Sequence, residues 1–303
     1  MPKAEPGYFR YPPVSRMDED WGVCVPTAGH QRIGPGSPYP PARHPEGYQF
    51  GWERGRVLQQ LVLVYITRGG GVFESATAGR CRIRAGNLFL LFPGEWHRYA
   101  PDRRTGWDEY WVSVDGAWPR RLLEKGFFTP RAPVLDPGND EALLELFIRL
   151  IDLLRDDPVG FHQLAGAMAG QILSRLHAAS LLRSAGGDAA DPLVRRAKCL
   201  LLENSGRAVS VRQVARELNV SYSRFRALFR RCTGLSPAQY HLQLRIRRAC
   251  QMLEGSALRI KEVADRLGFE SPYYFSRLFK KKTGVSPEAW RARSRRGRPT
   301  RAR

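Results

Sequence analysis

The pattern of hydrophobic and polar positions changes character along this 303-residue chain. Residues 1–56 are rich in Pro, Gly and aromatics and show no helical period, so they read as loops and short strands. From Leu58 to Val114, short apolar runs are punctuated by Gly69-Gly70-Gly71, Gly79, Gly86, Pro93-Gly94 and Gly106. Turn signals recurring every 8–12 residues or so predict a β-sandwich or barrel. The triple glycine reads as a hairpin turn rather than a phosphate cradle. Beyond Asn139 the period becomes helical. Leu143, Phe147, Leu150 and Leu154 recur at steps of four, three and four, with Asn139 or Asp140 as the N-cap. A second helix covers about 159–183, and the small-residue stretch SAGGDAADP (184–192) reads as a linker. The remainder is helical.

That helical remainder contains a repeat. Val211, Val214, Ala215 and Leu218 form an apolar stripe that Ile260, Val263, Ala264 and Leu267 reproduce 49 residues later. Each stripe is followed by a residue that tolerates positive φ, Asn219 or Gly268. FRALFRRCTGLSP (225–237) then matches FSRLFKKKTGVSP (275–287), offset by 50, which puts one inserted residue near the start of the second copy's second helix. Helix, tight turn, helix is the geometry that sets a second helix into a DNA major groove. Phe225, Leu228 and Phe229 would pack inward, leaving Tyr222, Ser223, Arg226 and Arg230 outward. In the second copy Phe275, Leu278 and Phe279 would pack, leaving Tyr273, Tyr274, Ser276, Arg277 and Lys280 exposed. Tyr and Ser can pair with base edges, and Arg can hold guanine bidentately. Between the copies a helix begins at Ser236 (cap) and Pro237 (first turn), with Leu242, Ile246, Ala249 and Leu253 buried. As a rigid spacer it would set two recognition helices about 34 Å apart, in successive grooves.

Charge sharpens this division. Lys and Arg total 49 against 29 Asp and Glu, a formal net charge of +20. Residues 191–303 hold 27 of the basic and 8 of the acidic residues, a net of +19, while residues 1–190 hold 22 and 21. A near-neutral module is thus joined to a polyanion-binding one. The sequence RARSRRGRPTRAR (291–303) carries seven Arg and reads as a disordered tail that contacts phosphates without base specificity.

Other classes are disfavoured. No apolar run approaches the roughly 20 residues of a membrane span, and the N-terminus lacks a signal-peptide pattern, which predicts a cytoplasmic, nucleoid-associated protein. The five cysteines are odd in number and form no CxxC pair, so neither a disulfide framework nor a zinc finger is expected. No catalytic triad, GxGxxG or phosphate loop stands in a usable context, so no catalytic residue and no cofactor are assigned.

The tandem pattern, with TGxSP after each second helix and RIRRACQML between the copies, resembles the AraC/XylS family of bacterial transcription regulators over roughly 193–292. The segment YITRGGGVFESATAGRCRIRAGNLFLLFPGEWHRYAPDRRTGWDEYWVSVDG (65–116) resembles the cupin-like sensor domain of arabinose-type members of that family. The resemblance implies an α+β multidomain chain. Its parts would be a cupin-like effector-binding β-barrel (1–138), a helical dimerisation segment (139–183), the linker (184–192), an all-α domain with two helix-turn-helix motifs (193–292) and a basic disordered tail (293–303). The implied partners are double-stranded DNA, a carbohydrate effector, RNA polymerase and a second copy of the chain; the implied role is that of a regulator, an activator or a repressor.

The residue chemistry also suits a carbohydrate. Trp96, Trp107 and Trp111 offer faces for sugar C–H groups, and Arg68, His97, Tyr99 and Glu109 offer donors and acceptors. By resemblance, Arg68, Tyr99, Glu109 and Trp111 fall on motif positions that line the family's pocket. Glu109 stands where arabinose-type members carry His, so the ligand can differ. Two readings stay open. The apolar stripe of 139–154 pairs two subunits or packs on its own barrel. The barrel is a sensor or a cupin-type enzyme with a DNA-binding appendage. Metal-binding cupins need a His-x-His with a nearby Glu and a distant His. Glu95-x-His97 does not supply that set, so no metal is expected.

Overall fold

The structure, a computed structural model, describes residues 7–40, 51–184 and 190–296 and divides into two units, one ending at Ser180 and the other starting at Leu181. The first unit opens with β1 (Gly7–Arg10), α1 (Arg16–Asp20), β2 (Cys24–Ile33) and β3 (Arg56–Val57). Then follow β4 (Leu61–Ser75), β5 (Gly79–Arg84), β6 (Leu88–Leu91), β7 (Trp96–Pro101) and β8 (Trp107–Asp115). It ends with α2 (Ala117–Glu124), β9 (Val134–Leu135), α3 (Glu141–Asp156) and α4 (Phe161–Ser184), the last four residues of which are counted with the second unit.

β4 organises these strands. Its first half pairs antiparallel with β8 on one side and β6 on the other, and its second half with β5 and β7. Two sheets therefore share one strand, β1-β2-β8-β4-β6-β9 and β3-β7-β4-β5. The run Leu61-Val62-Leu63-Val64-Tyr65-Ile66 is apolar throughout because both of its faces are covered. Leu61, Leu63 and Tyr65 enter a core with Val112, Val114 and the helices, whereas Val62, Val64 and Ile66 enter a second core between the sheets. That second core holds Phe73, Phe89, Tyr99, Trp107 and Trp111.

Two expectations are corrected here, and one of the two open readings of the α3 stripe is met. Gly69-Gly70-Gly71 is not a hairpin turn: the triplet lies inside β4, where the strand changes partners just past a register shift between Ile66 and Arg68. A Cβ on Gly69 would sit 2.1 Å from the Gly106 carbonyl oxygen, and one on Gly71 would sit 2.2 Å from that of Ala100. The glycines permit close backbone crossing rather than chain reversal. The strand order is open, from β1 to β9, rather than closed into a barrel. The stripe Leu143, Phe147, Leu150 and Leu154 is buried on the sheet of its own chain, the second of the two readings left open for it. α4 adds Phe161, Ala165, Ala169, Ile172, Leu173 and Leu176 to the same core. Asp140 is the N-cap of α3, accepting from the Leu143 amide at 3.0 Å and from Arg175 of α4 at 2.8 Å.

The second unit is helical: α5 (Ala190–Glu203), α6 (Val211–Glu217), α7 (Tyr222–Thr233), α8 (Pro237–Gly255), α9 (Ile260–Arg266), α10 (Pro272–Thr283) and α11 (Pro287–Arg296). The expected linker narrows, since α4 continues to Ser184 and α5 begins at Ala190; residues 185–189 lie outside the described residues. The disordered tail expected from 293 is likewise shortened by α11, and 297–303 lie outside the described residues.

The repeat is structural. Asn219 (φ 53°) and Gly268 (φ 69°) make the turns after α6 and α9, and Ser221 and Ser271 cap α7 and α10. The extra residue of the second copy therefore lies in the turn, before the cap, and not inside α10. Thr-Gly-x-Ser-Pro acts as a helix-to-helix joint in both copies. The Thr233 hydroxyl lies 2.7 Å from the Phe229 carbonyl and that of Thr283 lies 2.9 Å from the Phe279 carbonyl. Gly234 and Gly284 end their helices in the left-handed region, as glycine C-caps do. Ser236 and Ser286 then accept amides of the next helix at 3.2 Å, with Pro following each. The symmetry extends one residue class further: Tyr240 packs edge-on to Phe229 as Trp290 does to Phe279. α8 serves both halves. Tyr240 and Leu244 join the first core, and Leu242, Ile246, Ala249 and Leu253 join the second.

Phe147 is 1 % exposed and stacks on Tyr65. Phe147→Ala should lower unfolding stability by about 3–5 kcal/mol in urea titrations. A loss under 1 kcal/mol would mean that this helix face is not core.

Candidate functional site

Alternation along β7 and β8 aims His97, Tyr99, Trp107, Glu109 and Trp111 into the space between the two sheets. All five are buried, with His97 at 0 % and Glu109 at 4 % exposed. Two residues not anticipated from the sequence complete the cluster. The Tyr39 hydroxyl donates to Glu109 Oε2 at 3.2 Å. Arg56 donates from Nη2 to the Tyr99 hydroxyl at 2.5 Å and from Nε to His97 Nε2 at 3.4 Å. Tyr39 sits in a Pro-rich stretch and Arg56 on the two-residue β3, so neither carries a periodic signal that would have marked it.

Arg68 does not join them. It is exposed at the register shift in β4, and its side chain makes no hydrogen bond or ion pair among the described residues. Trp96 also lies apart, donating from its indole to the Arg54 carbonyl at 2.8 Å. Trp111 is inside, with its ring 6.2 Å from that of Phe9.

The electrostatics follow from burial. Desolvation pushes the Glu109 carboxyl up to about 7, against the opposing pull of the Tyr39 hydrogen bond and the Arg56 charge. Desolvation and then the nearby Arg56 guanidinium lower His97 to about 4, so the ring is neutral, with Nδ1 3.0 Å from the Glu95 carbonyl. Burial and then the Glu109 charge hold the Tyr39 phenol well above its ordinary value. The interior thus offers one fixed cation, two phenols, a neutral imidazole and a carboxyl able to accept or donate, set among aromatic faces. Among the described residues no group of three or more His, Cys, Asp or Glu side chains could hold a metal ion.

In the second unit, Ser223, Arg226 and Arg230 share the exposed face of α7, opposite buried Phe225, Leu228 and Phe229. Tyr222 is half-buried, with the Arg212 and Arg226 guanidinium groups 5.0 and 5.6 Å from its ring centre. On α10, Tyr273 is 79 % exposed and Tyr274 39 %, Arg277 lies 5.7 Å over Tyr274, and Lys280 is exposed. Ser276 is half-buried rather than exposed, since it lies beside Phe275 and Phe279 on the helix. Arg212 was not anticipated. It belongs to α6, yet it braces the start of α7 through Tyr222. On α8, Arg245 stacks 3.9 Å over Phe269 and donates to the Leu267 carbonyl at 2.9 Å, fixing the second turn.

Comparison with known proteins agrees with this division. A family described as the AraC-like ligand binding domain matches residues 35–186, and one described as a helix-turn-helix domain matches residues 214–293. The chain is 30 % identical over 241 residues to the MmsAB operon regulatory protein of Pseudomonas aeruginosa, covering 78 % of this chain and 76 % of that one. It is 29 % identical over 246 residues to the arabinose operon regulatory protein of Salmonella typhimurium, covering 78 % and 84 %. It is 23 % identical over 237 residues to the lactose operon transcription activator of Staphylococcus xylosus, covering 78 % and 85 %. A ligand-binding N-terminal domain joined to a helix-turn-helix domain defines a DNA-binding transcription regulator. The chain belongs to the AraC family.

Burial of Glu109 has a pH signature. Between about 4.5 and 7 the folded carboxyl holds a proton that the unfolded one has lost, so this residue's contribution to stability falls as pH rises. His97 acts oppositely between about 4 and 6.5, where only the unfolded ring is protonated. Glu109→Gln removes the first effect alone. The variant's unfolding free energy minus that of the native chain should increase from about pH 5 to 7, by at most about 1.4 kcal/mol per pH unit, and level off above. A difference independent of pH would contradict the assignment.

Proposed function

We propose that the chain is a sugar-responsive activator that works as a homodimer in the cytoplasm, at the nucleoid, where it recruits RNA polymerase. The effector enters the space between the two sheets of a cupin-like fold. There Arg56, Tyr99, Glu109, His97 and Tyr39 pair with its hydroxyls while Trp107 and Trp111 pack its C–H faces. The observation that carries this reading is the polar cluster of buried His97, Tyr99 and Glu109 hydrogen-bonded to half-buried Tyr39 and Arg56. Buried polar groups are costly unless paired, and a polyhydroxy ligand can exchange its own hydrogen bonds for those the cluster makes internally. The names of the arabinose and lactose operon relatives support a sugar. The cluster binds its ligand without turning it over.

α7 and α10 each enter a major groove, and the base-reading residues are Tyr222, Ser223, Arg226, Arg230, Tyr273, Tyr274, Ser276, Arg277 and Lys280. Pairing of subunits uses the outer faces of α3 and α4, where Ile148 and Leu164 are 40 % and 51 % exposed, since their inner faces are consumed by the sheet. The effector acts only through unequal affinity for the DNA-competent and idle states.

Operator titration by fluorescence anisotropy, with and without a panel of neutral sugars, tests both halves of this reading. Arg226→Ala or Arg277→Ala should weaken specific binding by about 1–3 kcal/mol while leaving nonspecific binding intact. At least one sugar should shift operator affinity in the native chain, and Glu109→Ala should abolish that shift. Unchanged operator affinity in both Arg variants would refute the groove assignment, and no response to any sugar would refute the effector class.

A further inference from the structure

The outer face of the β5-β4-β7 sheet is built in cross-strand rows. One row is Arg80, Glu74 and Arg98, in which Glu74 is ion-paired with Arg98 at 2.9 Å. The next is Arg82, Val72 and Ala100. In the third, Arg84 stands opposite Gly70, whose carbonyl accepts from the Asp102 amide at 2.8 Å. The second and third rows thus have no acid on β4. Between them lies an open cleft of about 770 Å³, walled by Arg82 and Arg84 on one side and by Asp102, Arg104 and Thr105 on the other. Its floor carries no side chain at Gly70.

Arginines outnumber acids in this cleft. Arg80, Arg82 and Arg84 are all exposed; their backbones sit in the β4–β5 ladder, but none of their guanidinium groups forms a hydrogen bond or ion pair among the described residues. Strand geometry spaces them about 7 Å apart on one face. Asp102, the acid of the cleft, is already engaged: it accepts the Arg104 amide at 2.8 Å and lies 3.5 Å from the Arg104 guanidinium. Those bonds, then the Arg104 and Arg82 charges, hold its carboxyl below the usual range. Residues 1–190 balance 22 basic against 21 acidic side chains, so this concentration is local rather than a consequence of the +19 third.

We propose that this cleft is a second small-molecule site of the sensor unit, specific for a multiply charged organic anion bearing phosphate or carboxylate groups and held by Arg82 and Arg84 opposite Arg104. Guanidinium forks bind both groups bidentately, and the volume lies in the usual range for small ligands. An anion here would relieve repulsion within the arginine row. It would also touch the stretch of β4 where the strand passes from one sheet to the other, and so connect with the interior cluster through Gly71, whose backbone lies against Trp107.

The test uses the full-length chain at fixed ionic strength. Backbone amide NMR signals of Gly69, Gly70 and Thr105 are followed during titration with glucose 6-phosphate, citrate, glucose and sodium chloride. One or both organic anions should saturate these signals at sub-millimolar concentration, and glucose and chloride should not. Response to the phosphate alone or to citrate alone identifies the charged group. The Arg82→Ala, Arg84→Ala double variant, altered only at exposed positions, should bind at least tenfold more weakly while keeping the native spectrum elsewhere. The proposal is overturned by silence of these signals toward both anions, by equal response to chloride, or by unchanged affinity in the double variant. Movement of these signals with duplex DNA but with neither small anion would make the cleft a nucleic-acid contact and would overturn it as well.

Discussion

The sensor unit rests on one constraint, that β4 must be buried on both faces along its first half and then switch partners without turning. Six consecutive apolar residues satisfy the first condition by alternating between two cores. Glycines at 69, 70 and 71 satisfy the second: a Cβ would sit 2.1 Å from the Gly106 carbonyl oxygen at Gly69, 2.7 Å from that of Ile83 on β5 at Gly70 and 2.2 Å from that of Ala100 at Gly71. From this strand follow the placement of α3 and α4 on one side and of the polar cluster on the other. The same crossing leaves bare the floor of the arginine cleft. One strand therefore touches the helical face, the interior cluster and the outer cleft.

The DNA-binding unit depends on a different device, repetition of a joint. Threonine, left-handed glycine, serine cap and proline end one helix and start the next twice over, 50 residues apart. Each joint fixes the helix preceding it, which carries the exposed Ser, Tyr, Arg and Lys side chains. α8 contributes to both apolar cores and so couples the two copies. The excess of positive charge belongs to this unit. In the sensor unit the charges nearly cancel, and what matters there is where single arginines stand: Arg56 inside, Arg82 and Arg84 outside.

Features set by local chemistry were readable in the sequence. The Asp140 cap, the turn glycine and asparagine, the inward phenylalanines of α7 and α10 and the repeat itself all follow from short-range rules, and all appear in the structure. Tertiary placement was less accessible. His97, Tyr99, Glu109 and Trp111 share one interior because alternation along β7 and β8 is regular, but Arg68 fell outside because a register shift between Ile66 and Arg68 breaks alternation on β4. Tyr39 and Arg56 reach the cluster from irregular segments where no period marks a direction. The stripe on α3 is equally apolar whether it meets a partner or its own sheet, and only the fold decides that it meets the sheet.

The central claim is that one chain reads DNA through two helices, α7 and α10, held in fixed relation by α8. Methylation-interference footprinting of the full-length protein on its operator measures this directly. The account predicts, for each C-terminal unit, two clusters of major-groove guanines whose methylation blocks binding, about one helical turn apart on the same face of the duplex. A single cluster, or binding indifferent to base methylation and governed by salt alone, would contradict it.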